Sequence, residues 1–145
     1  MRLILACLLV AGCETPEEFG PSTCEGGGEP RIEIGTGGRN SFVGFEPGQS
    51  VRERNNGLTM DLFTSGLNVL EPVTTVVRIA ADGGGTEDSL ASVSYQCTDS
   101  GNGWTTVIAN LPQNTNDGSI LSIDVVATDP SGTSVSTALE VVFEK

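Results

Sequence analysis

Four cysteines, nineteen carboxylates and no histidine limit the chemistry open to this 145-residue chain. Without histidine, Ser-His-Asp and Cys-His nucleophilic catalysis are excluded, and so is histidine-ligated zinc. Paired carboxylates are the acid–base arrangement still within reach, as in glycoside hydrolysis. Asp82, Glu87, Asp88 and Asp99 are the candidates, all in expected loops. A sugar-cleaving site needs aromatic walls, and aromatic residues make up only 5% of the chain. The sequence therefore reads as non-enzymatic.

Calcium is the next chemistry to weigh. Asp99-Ser100-Gly101-Asn102-Gly103 offers two oxygen ligands and flexible glycines. An EF-type loop, however, needs an oxygen ligand at its third position, where Gly101 stands. A plain hairpin loop is the better reading. The segment from Asp82 to Asp88 carries three acids around glycines and is also read as a solvated loop. The expectation is thus no resident metal and no cofactor, with Asp82, Asp88 and Asp99 as weak calcium candidates only. Gly83-Gly84-Gly85 lacks the Lys-Ser/Thr and the helix of a phosphate loop. Trp104 and Tyr95, on adjoining expected strands, could form a sugar-stacking platform, but burial of both in a core is favoured.

The N-terminus carries a different kind of chemistry. Met1 and Arg2 supply positive charge, Leu3 to Val10 is an unbroken apolar run, and Ala11-Gly12 are small enough for a peptidase cleft. These are the three parts of an export signal. The run is shorter than the roughly 20 residues that a membrane-spanning helix takes. A buried core helix is the other reading. It is disfavoured because the segment has no polar face and runs straight into Glu14-Thr15-Pro16-Glu17-Glu18.

Cys13 follows the small pair directly, and Leu9-Val10-Ala11-Gly12-Cys13 resembles the lipobox of bacterial lipoproteins. The resemblance implies that residues 1–12 are a lipoprotein signal peptide and that Cys13 becomes the lipidated N-terminus. Several acyl chains on one residue anchor stably, whereas one chain is marginal. The expected location is the bacterial cell envelope, at the outer membrane or cell surface in preference to the inner membrane. Cys7 would then leave with the signal and Cys13 would carry lipid. Cys24 and Cys97 would remain as an even pair in an oxidising compartment and are expected to form a disulfide. Two free thiols are the alternative.

Arg2 is the sole charged residue among the first twelve, so the rest of the chain holds six basic against nineteen acidic side chains, net −13. A nucleic-acid partner requires a basic face, which this composition lacks. Membrane attachment would have to come from the lipid rather than from charge.

The elements that must position these groups follow from composition and periodicity. Residues 13–29 are rich in proline, glycine and acid and read as a tether. Residues 30–145 suit one domain. Helix signals are nearly absent, and period-2 alternation recurs between glycine-rich turns. The clearest case pairs Leu121, Ile123, Val125 and Ala127 with Val135, Thr137, Leu139, Val141 and Phe143 across the turn Asp129-Pro130-Ser131-Gly132. A second hairpin is expected from Leu90 to Cys97 and back through Trp104 to Ile108. A third is expected around Asn55-Asn56-Gly57, joining Gln49–Arg54 to Leu58–Phe63. Weaker strands are expected at 31–34 and 41–45, and another at 73–80.

The segment from Ser122 to Thr133 and the final alternating strand resemble the last hairpin of bacterial immunoglobulin-like modules. The resemblance implies an all-β, immunoglobulin-like antiparallel β-sandwich of about seven to eight strands, without the Cys…Trp…Cys pin of antibody domains. The expected protein is a lipid-anchored, non-catalytic structural or binding module with an unidentified protein or glycan partner. The alternative is a calcium-assisted or carbohydrate-binding adhesion module.

Overall fold

The computed structural model describes residues 24–145, and within them the chain is all β. Ten strands follow one another: β1 (Arg31–Thr36), β2 (Val43–Gly44), β3 (Ser50–Arg52), β4 (Leu58–Ser65), β5 (Val73–Ala81), β6 (Thr86–Val93), β7 (Gln96–Cys97), β8 (Gly103–Ala109), β9 (Ile120–Thr128) and β10 (Ser134–Glu144). Seven of them have six residues or more; β2, β3 and β7 are short edge pieces of two or three. The count therefore exceeds the expected seven to eight only through these edges.

Two five-stranded sheets face each other, ordered β3-β10-β9-β5-β6 and β2-β1-β4-β8-β7. The long strands β1, β4 and β8 with the edge β7 form one layer, and β5, β9 and β10 form the centre of the other. This is the strand partition of an immunoglobulin-like sandwich. Every pairing is antiparallel except one: β3 runs parallel to β10, with Val142 opposite Ser50 and Phe143 opposite Val51.

Alternation decides the core. In β9, Leu121, Ile123, Val125 and Ala127 are buried, while Asp124 and Val126 face outward. The C-terminal hairpin has the expected register, with Leu121 opposite Val141 and Ala127 opposite Val135. Leu58, Met60 and Leu62 of β4, with Val73, Val77 and Ile79 of β5, complete the interior from the two sheets. A one-residue slip in any of these strands would turn its apolar set to water.

Two expected hairpins are corrected. Asn55 and Asn56 do adopt positive φ of 57° and 63°, and Arg54 and Gly57 exchange both backbone hydrogen bonds, as in a tight primed turn. The flanking strands do not pair, however, because β3 joins β10 in one sheet while β4 lies between β1 and β8 in the other. The turn thus carries the chain between layers. Likewise, residues 90–97 are not one strand. Thr86–Val93 pairs with β5, and only Gln96 and Cys97 cross to pair with β8. The expected loop after Asp82 is short, since Ala81 N–H donates to Gly85 O and β6 begins at Thr86. Glu87 and Asp88 are therefore strand residues.

The strands run between two ends. One end gathers Cys24 and residues 66–72, 98–102 and 129–133. The other gathers residues 53–57, 82–85 and 110–119 with Lys145, whose N–H donates to Asp117 Oδ1 at 2.8 Å.

Candidate functional site

The expected signal segment, Cys13 and the expected tether as far as residue 23 lie outside the described residues. Cys24 and Cys97 form a disulfide with Cα atoms 5.9 Å apart and 73 positions apart in sequence. Cys24 is buried and belongs to the core, so packing begins there and not at Pro30. Backbone pairing reinforces the covalent link. Val69 N–H donates to Cys24 O at 2.9 Å, and Glu25 forms an antiparallel bridge with Asn68. Cys24 holds φ at +55°, a left-handed geometry uncommon for a residue with a Cβ, within a segment followed by three glycines. The chain therefore turns sharply into the domain between the 66–72 and 98–102 loops.

The same end is held by Asp129, which the sequence offered only as the first residue of a turn. The residue is 5% exposed. Oδ1 accepts from Ser131 N–H, Ser131 Oγ and Thr133 N–H, at 3.0, 2.6 and 2.9 Å. Oδ2 accepts from Asn68 N–H at 2.9 Å. Burial alone pushes this carboxyl up, but the bonds from Ser131, Asn68 and Thr133 outweigh burial and hold it below the ordinary carboxylate value. The legible signal was the acid two and four residues before Ser131 and Thr133, the spacing of a side-chain-capped turn.

A shallow trough of about 430 Å³ opens beside the disulfide, between Glu29, Ser65 and Asn102. It shares Ser65 and Asn102 with a depression of about 270 Å³ lined by Arg31, Glu33 and Phe63. The first lies among the loops at the Cys24 end, and the second on the outward face of the β1–β4–β8 layer. Phe63 stacks on Phe42, ring centroids 5.1 Å apart. Phe42 needs Gly35 beneath it: a Cβ there would lie 2.7 Å from the ring and collide with Val43 O. The loop after β1 is draped over this face. Gly38 N–H and Thr106 Oγ1 each donate to the buried Asp61 carboxylate at 2.7 Å, and Arg39 Nη2 donates to Cys97 O at 3.0 Å.

Trp104 is on this outward face, opposite Phe63 and Gln96, with its indole N–H shielded and without an acceptor. Its expected place in the core is thus corrected: β8 buries Gly103, Thr105 and Ala109 on the other face. Tyr95 does enter the interior, where its hydroxyl lies 3.0 Å from Thr75 Oγ1. Burial pushes the phenol up, and the Thr75 bond offsets part of that. Tyr95 and Trp104 therefore form no joint platform.

The acids are dispersed. Asp82 Oδ1 accepts Ile120 N–H at 2.7 Å at the far end. Asp88 on β6 accepts two bonds from Arg78, at 2.8 and 2.9 Å. Asp99 lies in the β7–β8 loop at the tether end. Among the described residues, no group of three acids or cysteines is placed to hold a metal ion. No protein-family model matches this chain, and no curated protein matches it in sequence.

Proposed function

We propose that the chain is a lipid-anchored protein of the bacterial cell envelope whose sandwich serves as a non-catalytic structural or binding module. The observation that carries this reading is the seating of the tether. Cys13 stands eleven residues before Cys24, and Cys24 is fastened at one end of the domain by the disulfide and the Val69 bond. Eleven extended residues reach at most about 38 Å. A lipid on Cys13 would therefore hold the Asp129 end towards the membrane and leave the sheet faces and the Lys145 end open to partners. The acidic surface keeps the body in solution above anionic lipid.

Labelling cells with a radioactive fatty acid tests this. Wild-type protein should take label and sediment with membranes, and Cys13→Ala should lose both properties. Label that persists in the variant overturns the proposal.

A second reading, weak carbohydrate binding, draws support from the two joined depressions, where the Phe63 ring adjoins Glu33, Arg31, Ser65 and Asn102. A glycan array with wild type and Phe63→Ala tests it: bound sugar lost in the variant supports the reading, and an array without signal removes it.

A further inference from the structure

The outward face of the β3-β10-β9-β5-β6 sheet is unusually plain for so acidic a chain. Across it, Leu90, Val76, Val126 and Ser136 stand in one row, each opposite the next on neighbouring strands. The adjacent row reads Asp88, Arg78, Asp124, Ala138. Leu90 is 70% exposed and Val126 is 39% exposed. Towards the opposite flank the small residues Ser136 and Ala138 leave a depression of about 640 Å³ that runs from β10 across Val126 and Asp124 to Val76 and Arg78 of β5. A protruding leucine on one flank and a dip on the other are the two halves of a self-complementary surface.

We propose that this face binds a second copy of the chain, about a two-fold axis that runs along the strands between β5 and β9. Such an axis keeps each residue at its own height and exchanges the flanks. Val76 then faces the partner's Val126, and Leu90 faces the partner's Ser136 and enters the dip. Arg78 faces the partner's Asp124. Arg78 uses Nε and Nη2 on Asp88, which leaves Nη1 for the second carboxylate. Each contact occurs twice, as an isologous interface requires. The charge pattern fixes the register, since a shift of one row would set carboxylates against valines or against one another. The same axis sends both tethers out at one end. In that respect alone the inference rests on the proposed anchoring, because two lipidated copies could then reach one membrane.

The four strands that overlap about this axis, with about seven residues of each, give a face on the order of 450 Å² per copy. Standard interfaces bury about 800 Å² per partner, so association in free solution is weak, and confinement to a membrane surface raises it through effective concentration. Net charge opposes it at long range and is screened by salt.

Sedimentation velocity of the full chain in mild detergent, at about 0.5 mM protein, where weak contacts become populated, and about 0.15 M salt, tests the proposal. Wild type should show a dimer, and Leu90→Glu and Asp124→Arg should each reduce the dimer fraction at least tenfold. The charge swap Arg78→Asp with Asp124→Arg should recover it, provided that Trp104 fluorescence reports a folded chain; the Leu90→Glu result stands without the swap. A monomeric wild type, a dimer that survives either single substitution, or a folded swap that stays monomeric overturns the proposal. Cys13→Ala should dimerise in this assay as wild type does, so loss of fatty-acid label and loss of self-association are separate results.

Discussion

Asp129 Oδ2 accepts the Asn68 amide at 2.9 Å across 61 residues of sequence. That bond ties the β9–β10 turn to the loop that leads into β5. It lies beside the Cys24–Val69 backbone bond, so one carboxylate and one disulfide together set the shape of the tether end.

Replacing Asp129 with alanine removes the acceptor for four donors, and the half-buried amides of Asn68 and Thr133 lose their partner. The expected loss is about 2 kcal/mol at neutral pH. The pH dependence has a definite sign. The folded carboxyl is held below its unfolded value of 3.8, so its stabilisation is present above that value and disappears as pH falls through the folded one. Urea unfolding followed by Trp104 fluorescence should show the gap between wild type and Asp129→Asn shrinking as pH drops from 5 to 3. A gap that stays constant through that range contradicts the assignment.

Loss of the disulfide should be costly, because it closes a long stretch of chain. With 73 positions between the cysteines, the chain-entropy model gives roughly 4 kcal/mol. Cys97→Ser should lower the urea midpoint accordingly. Because the loss is global in that model, hydrogen exchange should speed up at amides in the centre of β9 as well as at the Val69 amide. Acceleration at Val69 with unchanged exchange in β9 would show that the disulfide holds this junction only.

Tyr95 should contribute to the loss of stability at alkaline pH. Its phenol titrates above the ordinary 10.0 because burial disfavours the charged form. The folded state therefore holds its proton longer than the unfolded state, and stability falls as pH rises past 10. Tyr95→Phe should cost about 1 kcal/mol at neutral pH through the lost bond to Thr75 and should flatten the alkaline decline. An unchanged decline in the variant would assign it to other groups.

Local signals in the sequence were reliable wherever a strand buries one face only. The alternation through Leu121–Ala127 and Val135–Phe143 specified both strands, their register and the core face, because period-2 burial admits no other arrangement. The backbone of Asn55-Asn56-Gly57 was legible for a similar reason: left-handed residues are scarce, and asparagine and glycine adopt that geometry readily. The same logic could not say which strands that turn would join. β3 pairs with β10, about 90 positions away in the chain, and no local feature of Ser50–Arg52 encodes its partner. Trp104 shows the same limit. Its large apolar ring suggested the interior, but the parity of β8 was set by Thr105 and Ala109 packing inward, which left the indole outside.

Composition by itself excluded histidine chemistry, made the chain acidic and dictated strands over helices, since these properties depend on residue types and short-range spacing alone. Cys24 and Cys97 were the pair expected to join only through the lipobox resemblance, which sets Cys7 and Cys13 aside. Only the tertiary structure decided that Asp129 is a buried latch, that Asp82, Asp88 and Asp99 stand apart, and that Leu90, Val76 and Val126 line up across three strands. Each of those facts depends on which distant strands meet, and that choice follows from filling one shared core between two sheets.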